Sequence, residues 1–363
     1  MNTKAETAEA PRRILMIKGF SAGIGDLLRS SAAWRALRNK FPQAELHLLF
    51  FTKDPGYISE TIIERHHLLN GFYVLDKRTR GPGGWAHFLQ GIARVVESVK
   101  PDLVIDFEPH GLRTSIVCLW VRLKYGLRTV GINQVPLRGA FYTLAAQSTK
   151  RFARERGLGL RPDYTYRDFV VLTPLGIERN GIPIEMEELP EGRQYREGLR
   201  QRLGIPEDAA ILGVNIGCGT PGALCRRPDL NLLSLVVGGL QERYGFTALL
   251  TGAPFEKPTN DEFVTLHKKR FLHPVHDLSG VSILELTGLI KACNLFVTSD
   301  SGPYHIAVGL KVPTICVFNF DYPEAYHFDP WVRCMLMRSE DDVKMILKEA
   351  DGLMETIPGK NSH

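Results

Sequence analysis

No two of the six cysteines in this chain (Cys118, Cys218, Cys225, Cys293, Cys316 and Cys334) stand at C-x-x-C spacing. That leaves no zinc ribbon and no disulfide framework, so reduced thiols that mostly pack are expected. No apolar run approaches the roughly 20 residues needed to cross a bilayer. Residues 1–12, MNTKAETAEAPR, are polar and lack the apolar core of a signal peptide; a disordered tail is expected there. The glycine-rich segment 19–26, GFSAGIGD, has Leu28 where a dinucleotide fingerprint needs its third glycine. No Walker sequence occurs either, so neither a dehydrogenase nor a P-loop ATPase is supported. No Asp-x-Asp pair and no cluster of histidines offers a metal site, and no cofactor is implied.

What is present is the composition of a soluble globular protein: 363 residues, 44% hydrophobic and 23% charged. That length favours two domains. The net charge of +5 is unevenly spread: between Gly111 and Arg161 stand ten Lys or Arg residues and one acid, Glu155. Most charge runs are simply solvated. An imbalance of this size would also attract an anionic partner, either a phosphorylated substrate or an anionic membrane face. No aromatic RNA-binding signature accompanies it, so nucleic acid is not expected. A cytoplasmic protein, with peripheral contact at the inner membrane face, is the expectation.

Apolar runs alternate with helical periods along the whole chain, the mark of α/β structure with open parallel sheets. Strands are expected at 13–18, 44–51, 72–75, 103–107 and around 130–132, with helices at 26–40, 87–99 and 114–124. Residues 181–190, GIPIEMEELP, are proline-bearing and acidic and read as a connection, with helical sequence following to Leu203. A second series follows: strands at 210–215, 247–251, 295–298 and 314–318, helices at 230–244, 282–293 and 341–354. The expected organisation is a tail (1–12), a first Rossmann-like domain (13–180), a linker (181–205), a second Rossmann-like domain (206–335) and a C-terminal helix and tail (336–363). Ligands of such sheets bind beyond the carboxyl ends of strands, and the cleft between two such domains is the expected site.

Three loops carry candidate chemistry. In 295–318, LFVTSDSGPYHIAVGLKVPTICVF, a buried strand runs into a polar turn, a short helix and a second strand. Ser301 is placed as an N-cap, and Gly302 would let a ligand approach the backbone. The helix N-terminus suits a phosphate. Asp300 and His305 flank it; His305 positions that loop or is a packed core residue. In GFSAGIGD, Asp26 opens the first helix. It is a helix cap, or else a base able to take a proton from a hydroxyl bound over the glycines. In the second half, Thr220 lies in a small-residue loop leading to Arg226 and Arg227, whose guanidinium groups suit a diphosphate. Glu256 follows another strand; it is a ribose-diol acceptor or merely a helix-start acid.

Together these segments resemble the family 9 glycosyltransferases, which include the lipopolysaccharide heptosyltransferases. The likeness runs through RRILMIKGFSAGIGDLLRSSAAWRALRNKFPQAELHLLF, PDLVIDFEPHGLRTS, YRDFVVLTPLGI, ILGVNIGCGT, TGAPFE and LSGVSILELTGLIKACNLFVTSDSGPYHIAVGLKVPTICVF. Its paired signatures are Gly25-Asp26 and Asp300-Ser301-Gly302-x-x-His305. The resemblance implies a GT-B fold, with two Rossmann-like domains facing a cleft. It implies inverting, metal-independent transfer of a sugar, with heptose from ADP-heptose as the first expectation, onto a lipopolysaccharide core or similar anionic glycolipid. Asp26 would be the general base. Thr220, Arg226, Arg227, Glu256, Asp300, Ser301, Gly302 and His305 would bind the donor. Lys18, Gly23, Gly25 and Arg113 would meet the acceptor. Lys18 and Ser30-Ser31 depart from the family's usual Arg and Thr-Pro, and Cys225-Arg226-Arg227-Pro228 departs from its Lys before Trp-Pro. These departures keep two other readings open: a GT-B transferase with another donor and a non-lipopolysaccharide acceptor, and a nucleotide-binding relative without catalysis.

Overall fold

The computed structural model describes residues 9–19, 23–158, 163–217, 225–319 and 329–355. The chain divides into two compact units. One takes Met1–Ala22, Ser30–Leu160 and Thr165–Ile182; the other takes Gly23–Arg29, Arg161–Tyr164 and Pro183–His363.

The strands of the first unit are β1 (Arg13–Lys18), β2 (Glu45–Thr52), β3 (Gly71–Asp76), β4 (Leu103–Asp106), β5 (Arg128–Ile132) and β6 (Leu144–Ala146). All pair in parallel in the order β3-β2-β1-β4-β5-β6. Between them the chain runs through α1 (Ile24–Leu28), α2 (Ser31–Lys40), α3 (Ile58–Ile63), α4 (Gly81–Val99), α5 (Leu112–Tyr125), α6 (Thr149–Glu155) and α7 (Tyr166–Leu172). Of these, α1 belongs with the second unit. The central strands read as apolar runs because both faces are covered. Leu15, Ile17, Leu49, Phe51 and Val104 pack with Phe88, Ile92 and Val96 of α4 and Val117 and Val121 of α5.

Helices α8 (Pro190–Glu197) and α9 (Leu199–Leu203) open the second unit's main segment; residues 183–189 before them are irregular. Then follow β7 (Ile211–Asn215), α10 (Leu230–Tyr244), β8 (Thr247–Thr251), α11 (Lys257–Lys268), β9 (Val275–Asp277), α12 (Ile283–Ala292), β10 (Leu295–Ser299), α13 (Gly302–Gly309), β11 (Thr314–Phe318), β12 (Val332–Leu336) and α14 (Glu340–Glu355). This sheet is also parallel, in the order β12-β11-β10-β7-β8-β9. Counted from its own first strand, it repeats the order of the first sheet: two outward windings that part between the first and fourth strands. Local chemistry sets the helix ends. Asp229 caps α10 by accepting from the Asn231 and Leu232 amides at 2.8 and 3.0 Å, a contact worth about 1 kcal/mol. Gly245 ends that helix at φ 65°. Ser282 and Glu285 close a capping box at the start of α12.

Helix α14 is no appendage. Val343, Ile346, Ala350 and Leu353 join Leu233, Val236, Val237 and Leu240 of α10 in the second unit's core. The helix expected over 26–40 is broken. Ser30 sits at the N-cap of α2, its carbonyl accepting the Trp34 amide at 2.9 Å, and α1 ends before it.

Candidate functional site

In a doubly wound sheet, the loops after the first and fourth strands diverge and leave a hollow beyond the strand ends. In the second unit those strands are β7 and β10. Asn215 ends β7 and is buried. Its amide donates to the Gly217 carbonyl at 3.0 Å, the Thr298 hydroxyl at 3.3 Å and the Ser301 hydroxyl at 3.0 Å. Ser299 Oγ donates to the same Gly217 carbonyl at 2.7 Å. The two loops are thereby fixed to each other. Ser301 holds the N-cap position of α13 but does not cap it. Its hydroxyl turns back to the Ser299 carbonyl at 3.2 Å, leaving the helix start without a side-chain cap.

Asp300 is buried, and Arg226 Nη1 lies 2.9 Å from its Oδ2. Arg227 points elsewhere, donating to Thr259 Oγ1 at 2.9 Å on α11. The two adjacent arginines therefore part company, and only Arg226 reaches the Asp300 signature. Glu256 is buried at the turn Pro254–Glu256, and its Oε2 accepts the Ala253 amide at 2.8 Å, as a helix-start acid does. It also lies directly against Gly217: a Cβ there would fall on its carboxylate. Glu256 thus borders the loop after β7. Thr220 lies outside the described residues.

The early signature comes to the same place. Helix α1 packs on α13. A Cβ on Gly25 would collide with the His305 ring, and one on Gly302 would stand 2.8 Å from Ile24 Cδ1. On its Cβ side, then, Gly302 makes room for Ile24. Gly25 is likewise buried against the imidazole, while Gly23 is the N-cap of α1 and its carbonyl accepts from Asp26 and Leu27 at 3.1 and 3.3 Å. Asp26 itself remains 40% exposed and is ion-paired with Arg29, whose guanidinium lies 5.0 Å over the Tyr164 ring. His305 is buried and 4.8 Å from the Tyr304 ring, so the positioning and core readings of it coincide.

In the first unit, the ends of β1 and β4 carry Lys18 and the Asp106–Glu108 segment. Lys18 Nζ is 3.1 Å from Asp168 on α7. Burial pushes the Glu108 carboxyl above its ordinary range, and the Lys18 ammonium opposes that. Arg113 is half-buried and faces inward. It donates to the Lys77 carbonyl and, at 3.3 Å, to Thr79 Oγ1, and it lies 5.1 Å over the Trp85 ring. Arg138, one of the basic stretch, is buried against Asp106, Ser115 and Tyr142 and is not available to a partner. No group of three or more His, Cys, Asp or Glu side chains that could hold a metal occurs among the described residues. No helix there is long and apolar enough to cross a membrane.

The family model for glycosyltransferase family 9 (heptosyltransferase) matches residues 240–339, which include Glu256 and the Asp300–His305 signature. Lipopolysaccharide heptosyltransferase 3 of Escherichia coli (strain K12) is 24% identical over 303 residues, covering 81% of this chain and 79% of that protein. Over residues 240–339 the chain is similar to glycosyltransferase family 9. The fold is likewise shared. A glycosyl transferase family 9 structure from Veillonella parvula superposes with a TM-score of 0.69 at 18% identity, covering 97% of this chain and 91% of that one. E. coli ADP-heptose lps heptosyltransferase II does so at 0.64 and 15% identity, covering 94% and 98%. The α/β fold of GT-B type, with two Rossmann-like sheets, is therefore established.

Sequence reasoning missed several side chains of these strand-end clusters. Asn215 was signalled only by a polar residue closing the apolar run ILGVN. Arg29, three positions after Asp26, stands at helical spacing for an ion pair. The Lys18–Asp168 pair joins residues 150 positions apart and has no local signal.

Proposed function

We propose that this glycosyltransferase moves a heptose from ADP-heptose onto an anionic, lipid-anchored glycan of the lipopolysaccharide-core type, with inversion and without a metal. Asp26 is the general base. What supports the reading is one observation: α1, which carries Asp26, packs through Gly25 and Ile24 on α13, the helix of the Asp300–His305 signature. Two of the named relatives are lipopolysaccharide heptosyltransferases by name, and one carries ADP-heptose in its name.

A hydroxyl is a weak nucleophile near neutral pH, so the carboxylate takes its proton as the new bond forms. The acceptor oxygen attacks the anomeric carbon on the face opposite the diphosphate. The bond to the diphosphate oxygen breaks, ADP leaves, and the configuration inverts. Charge growing on the leaving diphosphate is met by the uncapped start of α13 and by Arg226. Glu256 takes the ribose hydroxyls, and Thr220 also meets the donor. On the acceptor side, Lys18 supplies a cation at the end of β1, and Arg113 holds the loop at 77–79 in place.

Asp26→Asn tests this. Transfer should fall at least about a hundredfold, the lower range for loss of a general base, while ADP still raises the melting temperature. A fully active Asp26→Asn enzyme would remove Asp26 as base. Stabilisation by GDP- or UDP-sugars but not ADP-sugars would move the donor; a saturating ligand at a hundred times its Kd adds about 2.7 kcal/mol. Loss of transfer in EDTA, restored by a divalent ion, would defeat metal independence.

A further inference from the structure

Helix α5 lies on the first sheet, yet it is apolar on both sides. Its inner face buries Val117, Cys118 and Val121. Leu112, Ile116 and Leu123, spaced by four and seven, share the outer side and are exposed. A helix packed on a sheet ordinarily turns polar residues outward. Val135, Leu137 and Leu144 continue the exposure in the crossover to the edge strand β6 and on that strand. These six make up more than half of the ten exposed large apolar side chains among the described residues. Leu137 is 84% exposed and sits at φ 66°, a left-handed conformation that costs energy for a leucine.

The crossover is tied to its neighbours. Arg122 of α5 donates to the Ala140 and Tyr142 carbonyls at 3.2 and 3.1 Å. Gln134 accepts the Thr149 amide at 2.9 Å at the start of α6. Exposed cations stand on α5 and on the helix that follows β6: Lys124 on α5, and Lys150 and Arg154 on α6. Lys124 Nζ lies 4.8 Å over Trp120 and 4.9 Å over Tyr125, whose hydroxyl donates to Glu97 at 3.1 Å. Arg151 is paired with Glu155, and Arg156 with Glu178.

We propose that α5 and the crossover form a docking face for a bilayer of anionic lipid. Exposed leucines with flanking aromatics and lysines match the apolar–polar boundary of a membrane, and the cations match its negative headgroups. The exposed cations Lys124, Lys150 and Arg154 would repel one another across a second copy of the same face. Nucleic acid would leave the leucines without a counterpart. The proposal rests on the acceptor being lipid-anchored only for its use, since lipid binding needs neither donor nor acceptor.

The test is co-sedimentation with vesicles of phosphatidylglycerol and phosphatidylethanolamine, or of phosphatidylcholine alone. The wild type should bind the anionic vesicles, less so as salt rises, and not the neutral ones. Leu123→Asp/Leu137→Asp should weaken binding about tenfold or more, since two apolar anchors are lost and two like charges gained. Aspartate tolerates the left-handed position 137, so folding should survive; unchanged stabilisation by ADP checks this. Wild type that ignores anionic vesicles, or a double variant that binds like wild type, overturns the proposal. So does a wild-type dimer that becomes monomeric in the variant while vesicles stay unbound. Failure of the transfer reading looks different: vesicle binding persists and no acceptor gains sugar.

Discussion

Gly25 and His305 occupy one space: the glycine's backbone is so close to the imidazole that any Cβ would overlap its Cδ2 and Nε2 and lie 3.0 Å from Cε1. The contact joins residues 280 positions apart in sequence and holds the turn bearing Asp26 against the signature helix. Gly25→Ala must push either α1 or the ring aside. The expected result is a large fall in kcat with a smaller change in ADP stabilisation. His305→Ala removes the obstacle, so the double variant should recover part of the loss. A double-mutant cycle should give coupling of about 1 kcal/mol or more, as for residues in direct contact. Additive effects would mean that the contact does not position Asp26.

Arg226 and Arg227 should separate in binding. Arg226 lies 2.9 Å from the buried Asp300, and Arg227 is bound to Thr259 at 2.9 Å. Arg226→Ala should weaken ADP about tenfold or more, since a charged hydrogen bond to phosphate is worth about 1.5–3 kcal/mol. Arg227→Ala should cost stability, about 1 kcal/mol for its hydrogen bond, and leave ADP affinity within a few fold. Isothermal titration with ADP decides between them. The reverse order would give the diphosphate to Arg227.

How far the sequence foretold this depends on where each signal lay. Long apolar runs bounded by glycine or proline carry their own period, so β1, α10, β8 and β11 fall where the sequence reading put them. The short edge strands β6, β9 and β12 were not foreseen. Val275–Asp277 has three residues and little to bury, and β12 is only partly covered. The site follows the same rule. Asp300 and Ser301 stand beside a strand end and were legible locally. That Gly302 faces Ile24, or that Arg113 turns inward to Thr79, depends on partners distant in the chain, and no local pattern encodes those.

The first unit's buried polar cluster should matter for stability. Tyr142 donates to Asp106 Oδ2 at 2.7 Å, and Arg138 Nε reaches the Tyr142 hydroxyl at 3.2 Å. Burial pushes the Asp106 carboxyl up, and the Tyr142 hydrogen bond is the largest opposing influence. Tyr142→Phe leaves that carboxyl short of a donor in a dry setting. The expected loss is about 1–3 kcal/mol in urea unfolding, the cost of an unsatisfied buried group. A neutral result would mean that water or Arg138 takes over the contact.

His267 gives the second unit a dependence on pH. It is fully buried between Phe263 and Phe271, ring centroids 5.6 and 5.0 Å away, with Gln241 Oε1 at 2.9 Å and Ser234 Oγ at 3.2 Å. Burial lowers its pKa to about 4, with the nearby His273 adding to the shift. The unfolded chain keeps an ordinary imidazole, near 6.5. Between those values the unfolded state binds the proton and the folded state does not. The contribution is therefore intact above about 6.5 and is lost as pH falls toward 4, by up to about 1.4 kcal/mol per unit. Carboxylates titrate in the same range, so the measurement is a difference. Unfolding free energy followed from pH 7 to 4.5 should fall more steeply in the wild type than in His267→Gln, whose amide has no proton to take up. Equal slopes would show that the buried imidazole is not what the acid attacks.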